Sequence, residues 1–169
     1  MKELPKVLLH DHLDGGLRPE TIIEIAAETG YQGLPTNKTS ELALWFKDAC
    51  DSGSLELYLE TFNHTIAVMQ REQDIVRIAK EAVIDLANDG VIYAEIRVAP
   101  EHFTKKGLQM AQVVEAMLEG YRQGEAVTGL KVDAFRTKSC QLSIRLLLLL
   151  GDNLLALLLQ LAPSVNLFL

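Results

Sequence analysis

Cysteine, positive charge and uninterrupted apolar runs are all in short supply in this 169-residue chain. Two cysteines, Cys50 and Cys140, are too few for a disulfide framework or a cysteine zinc knuckle. They read as ordinary thiols of a reducing compartment, and the expected localisation is cytoplasmic. Lys and Arg number 16 against 23 Asp and Glu, a formal net charge of -7. Without a basic run the chain lacks what neutralises phosphates, which argues against a nucleic-acid partner. Met1 to Lys6 contains no apolar stretch of signal-peptide length. The leucine-rich segment Ile144 to Leu161 is broken by Gly151-Asp152-Asn153. A membrane span needs about 20 predominantly apolar residues, so two short buried helices meeting at Gly151 are expected there, with no membrane partner.

The informative stretch is Lys6 to Glu20. Val7 to Leu9 reads as a short buried strand, with His10 and His12 at its end. Strict alternation puts His10 and His12 on one face with Leu8, and Val7 and Leu9 on the other. Two imidazoles on one face can share a metal ion; equally, they can be solvated or hydrogen-bonded side chains at a polar strand end. Asp14 precedes Gly15-Gly16, where the backbone can turn, and by itself it reads as a turn former. Pro19 stands at a first helical position, with Glu20 in the positively polarised first turn.

Helical periodicity runs from Pro19 to Thr29 through Ile22, Ile23, Ala26 and Ala27, and Gly30 supplies the C-cap. Ser40 caps a short helix carrying Leu42, Trp45, Phe46 and Ala49. Leu55, Leu59, Phe62, Ile66 and Met69 form a stripe that reads as core, and His64 falls off it, on the surface. A helix from Glu72 to Asn88 presents Ile75, Ile78, Ala79, Ala82, Val83 and Leu86. In the strand after Gly90, Ile92, Ala94, Ile96 and Val98 share one face and Val91, Tyr93, Glu95 and Arg97 the other. Pro100 ends it, and His102 sits in the following loop as a capping or solvated residue. A helix over Leu108 to Gln123 precedes a third short strand, Leu130 to Val132. Strands separated by helices predict parallel β/α units.

The string His10-Asp-His-Leu-Asp-Gly-Gly-Leu-Arg-Pro-Glu-Thr21 closely resembles the amino-terminal motif of the adenosine deaminases. Val91-Ile-Tyr-Ala-Glu-Ile-Arg-Val-Ala-Pro100 is similar to that family's second barrel strand. The resemblance covers about residues 4–132 and implies an α/β fold: a partial (β/α)8 TIM barrel of about three β/α units with extra helices. It divides the chain into a deaminase-like part, 1–132, and a divergent Leu-rich helical tail, 133–169. The aliphatic face of the second strand would then meet helices, with Glu95 and Arg97 pointing inward near the strand's C-terminal end. By the same resemblance His10 and His12 are zinc ligands, with His12 also near the substrate, and Asp14 binds the ribose 5′-hydroxyl of a purine nucleoside. Leu59 and Phe62 border the substrate cleft.

A complete barrel typically needs about 250 residues. The strings carrying the family's third ligand histidine and proton-shuttling glutamate (His-Ala-Gly-Glu), its later catalytic histidine (Gly-His-Gly) and its last ligand (Asp-Asp) do not occur in this sequence. No catalytic acid or base is therefore assigned, and a zinc site normally uses three or four protein ligands. The change of character after Val132 points to a spliced, frame-shifted or truncated ending. Three readings follow: an adenosine deaminase-like chain that is inactive and weakly zinc-binding by itself; an adenine deaminase or related metal-dependent hydrolase; or a non-catalytic interaction fragment that self-associates through uncovered strand edges. Asp14, where adenine-specific relatives carry Glu, favours the nucleoside.

Overall fold

The computed structural model describes residues 4–136. Strand β1 (Lys6–His12) is followed by a 3-10 turn (Leu13–Gly15) and helices α1 (Pro19–Thr29), α2 (Thr39–Asp51), α3 (Leu55–Val68) and α4 (Glu72–Asn88). Strand β2 (Val91–Val98), a second 3-10 turn (Pro100–Phe103), helix α5 (Met110–Thr128) and strand β3 (Lys131–Arg136) complete the order. Both strand pairings are parallel, in the order β1-β2-β3, as the strand–helix alternation predicts. β3 runs to Arg136, so it crosses position 132; the Leu-rich tail from 137 onward lies outside the described residues.

Helix ends mostly follow their local chemistry. Pro19 opens α1, and Gly30 closes it at φ 71, its N–H donating to Ala26 O. Ser54 caps α3 by accepting the Leu57 N–H. At α2 the expected cap is displaced: the helix starts at Thr39, and Ser40 lies inside its first turn. α5 reaches Thr128 because Gln109 and Gln112 form a reciprocal capping pair at its start and Gly129, at φ 74, ends it.

The core lies between the sheet and the α4–α5 pair. Ala94, Ile96 and Val98 are buried among Ile75, Ile78, Ala79, Val83, Val113 and Met117. The two helices approach closely at Gly120, where an added Cβ would lie 2.4 Å from Val76 O. α1 is clamped along α4 by arginines: Arg18 donates to both Asp85 oxygens at 2.8 and 2.7 Å, and Arg77 reaches Glu24 and Glu81. Among the described residues no helix is long and apolar enough to cross a membrane.

Two expectations about faces are corrected. Of the α3 stripe only Met69, just past the helix, is fully buried: Leu55 and Leu59 are exposed and Phe62 and Ile66 half-buried, while Thr61, His64, Thr65 and Val68 face inward. Burial of the threonines is tolerated because Thr61 Oγ1 donates to Tyr58 O and Thr65 Oγ1 to Phe62 O, leaving no orphaned hydroxyl. His64 is likewise buried rather than a surface residue, with Nδ1 3.0 Å from the Tyr31 hydroxyl and its ring edge-on to Trp45. At the start of β2, Val91 is buried and Ile92 is 59% exposed, the reverse of the alternation. A register shift against β1 between Lys6 and Val7 accounts for it.

Candidate metal and substrate site

The site is built at the C-terminal end of β1. Val7 pairs with Tyr93 and Leu8 with Ala94, but Asp11 pairs with Ile96 and His12 with Arg97. Leu8 to Asp11 therefore spans the stretch that Ala94 to Ile96 covers on β2, so β1 carries an extra residue there. A bulge of this kind inverts the side-chain parity beyond it. Leu8 shares the helix-facing side with Ala94 and packs against the core. Asp11 returns to that side with Ile96, and His12 stands with Arg97 on the opposite face. The expected grouping of Leu8 with the histidines is thus corrected, whereas the two imidazoles do lie together. Their rings stack with centroids 5.3 Å apart and planes at 28°, and their Nε2 atoms are 3.2 Å apart.

That separation bears on whether a metal fits. Two nitrogens bound to one tetrahedral zinc at about 2.0–2.1 Å lie about 3.3 Å from each other. The pair matches a shared ion in donor type and spacing. Burial and the neighbouring charge of Arg97 push the His10 pKa down, which keeps its imidazole neutral and its lone pair free. No group of three or more His, Cys, Asp or Glu suited to a metal forms among the described residues. Two imidazoles are what this region offers.

Asp14 lies in the turn directly after β1 and is 8% exposed. Its Oδ1 has no hydrogen-bond partner and is 4.0 Å from His12 Nδ1. Burial raises its carboxyl pKa. A buried acceptor without a donor is costly, and a ligand hydroxyl would satisfy it. On the face shared with His12, Glu95 and Arg97 are half-buried, as the alternation predicted. The Tyr93 hydroxyl donates to Asp133 at 2.9 Å and Glu95 at 3.2 Å, and this pairing pushes the phenol pKa up to about 12.

Sequence reasoning missed two participants and the surroundings of a third. Asp11, hidden in the middle of His-x-His, accepts the His12 backbone N–H on Oδ1 at 2.9 Å. Tyr121 on α5 buries a hydroxyl without a partner near the charges of Asp11 and Asp14. Arg97 was expected to face inward, but its unpartnered Nε and its influence on His10 were not legible. A carboxylate in an otherwise aliphatic run was the one available signal for Asp11. Leu59 stays exposed, and Phe62 packs edge-on against Tyr58.

A family model described as adenosine deaminase matches residues 5–146. The chain belongs to the adenosine deaminase family. Adenosine deaminase 1 of Streptomyces coelicolor is 59% identical over 125 residues, covering 74% of this chain and 32% of the relative. The crystal structure of adenine deaminase from Arthrobacter aurescens superposes with a TM-score of 0.66 at 26% identity, over 77% of this chain and 38% of that one. An amidohydrolase from Burkholderia ambifaria, solved with bound Zn, gives a TM-score of 0.65 at 26% identity, over 80% and 36% of the two chains. This deaminase-family chain thus spans about a third of the length of the curated relatives it matches. These neighbours are TIM-barrel folds, and the described part of this chain is an α/β partial fold with parallel strands.

Proposed function

We propose that the chain supplies the His-x-His part of a zinc-dependent hydrolytic deaminase acting on adenosine or deoxyadenosine, with inosine or deoxyinosine and ammonia as products. The observation that carries this reading is the stacked His10–His12 pair with Nε2 atoms 3.2 Å apart, beside the partnerless Asp14 Oδ1. His10 and His12 would hold the metal, with His12 also close to the substrate. When bound, zinc supplies the acidity that activates water near neutral pH for attack on an aromatic carbon bearing an amino group. Burial and the nearby Arg97 charge lower the His10 pKa, which favours the neutral imidazole, and Asp14 would accept a hydrogen bond from the ribose 5′-hydroxyl. Identity of 59% to an adenosine deaminase, against 26% to an adenine deaminase, supports the nucleoside over the free base.

No proton-shuttling residue is assigned in this sequence, so the 169-residue chain by itself is expected to show no turnover and to bind zinc weakly. A graft tests the reading. Residues 4–132 replace the matching segment of the Streptomyces coelicolor relative, and loss of adenosine absorbance is followed with and without zinc. Zinc-dependent conversion of adenosine but not adenine, abolished by His12→Ala, is the expected result. A folded graft without that activity would refute the assignment.

A further inference from the structure

Asp11 is a half-buried carboxylate on the side of the sheet that faces the helices. It pairs with Ile96, whose side chain is fully buried on the helix-facing side of the sheet. It also lines a cavity of about 180 Å³ together with His12, Leu13, Gly16, Ala82, Asp85 and Leu86. A carboxylate there is costly unless its hydrogen bond does something a methyl group cannot. That bond is to the N–H of the next residue, His12, at 2.9 Å. It falls where β1 carries its extra residue and where the parity of the strand is reset. Sliding the strand by one residue would return both imidazoles to the helix-facing side, since side chains alternate with a period of two.

We propose that Asp11 is a positioning residue: by accepting the His12 N–H it pins the bulge that sets the His10–His12 pair on the face of Arg97, away from the helices. The inference rests on reading that pair as metal ligands only for its consequence, metal affinity. The face that the pair takes is independent of any metal. It also assigns a purpose to the central residue of His-x-His.

The test uses the 169-residue chain with two substitutions. Asp11→Leu removes the acceptor but suits the aliphatic side and the adjoining cavity, so the fold is retained. Asp11→Asn keeps an acceptor oxygen at the same place. Without metal, nuclear Overhauser contacts from the two imidazoles to core methyls on the helix-facing side, such as those of Val83 and Val113, are expected in folded Asp11→Leu and absent in the wild type and in Asp11→Asn. With zinc, competition against a fluorescent chelator should show Asp11→Leu about 10- to 100-fold weaker. Asp11→Asn should lie within about threefold of wild type, because a neutral hydrogen bond is weaker than a charge-assisted one but keeps the geometry. A folded Asp11→Leu whose imidazoles make no such contacts would overturn the proposal, as would their appearance in Asp11→Asn. If His12→Ala binds zinc as tightly as wild type, the metal reading fails, while the ring contacts still decide the role of Asp11.

Discussion

Asp14 shows at the level of one side chain how a site can be costly to its fold. Its carboxyl is buried with an unpartnered oxygen, and burial raises its pKa. A carboxyl whose folded pKa lies above its unfolded value destabilises the native state wherever it is ionised, and the cost fades as pH falls through the folded pKa. Asp14→Asn should therefore raise stability at pH 7, with the gain disappearing below the ordinary carboxylate range. Urea denaturation at pH 7 and pH 3 measures it, and a pH-independent difference would contradict the argument. At this scale the sequence exposed the identities His10, His12 and Asp14 but not their surroundings. His64 shows the limit: helical spacing placed it off the apolar stripe, yet Tyr31 and Trp45 close over it from other segments.

Elements meet where small or polar residues permit it. Gly120 and Gly124 let α5 settle onto α4, and an added Cβ would come within 2.4 Å of Val76 O at the first and 2.5 Å of Val83 Cβ at the second. Gly120→Ala and Gly124→Ala are each expected to destabilise by about 1–3 kcal/mol through overpacking. Thermal melts should rank Gly120→Ala as the worse, because backbone yields less readily than a side chain. His64 ties the segment after α1 to α2 and α3. Burial lowers its pKa, opposed by Glu60. The linkage sign follows: the unfolded chain takes up the proton first, so this contribution is complete above about pH 6.5 and is lost as pH falls toward the lowered folded value. His64→Leu should flatten that part of the stability profile while leaving the carboxylate region below it unchanged. Element type was legible from periodicity in every helix, because a 3.6-residue repeat needs no knowledge of neighbours. The α3 face was not, since Thr61 and Thr65 hide their hydroxyls in bonds to their own helix.

For the whole unit 4–136, the sheet decides behaviour. β1 and β3 each pair on one side only among the described residues. Val7 and Leu9 on β1 are both 56% exposed, an apolar edge of the kind that recruits further strands. Leu9→Lys should lower concentration-dependent association in light scattering without lowering the melting temperature, because the side chain already meets solvent. Equal association of both forms would place the contact elsewhere. The parallel order was readable because each strand is separated from the next by helix, and a parallel crossover needs about a dozen residues or more.

The sequence alone determined the residue types at the site, the helices and the alternation of β2 beyond its first turns, since each depends on covalent order and local periodicity. Tertiary structure decided the direction in which those side chains point. The extra residue between Leu8 and Asp11 becomes visible only when β1 is laid against β2. Parity in a strand has a period of two, so one inserted residue exchanges the faces of everything beyond it. That exchange leaves Leu8, which precedes it, in the core and sets His12 with Arg97 on the opposite face.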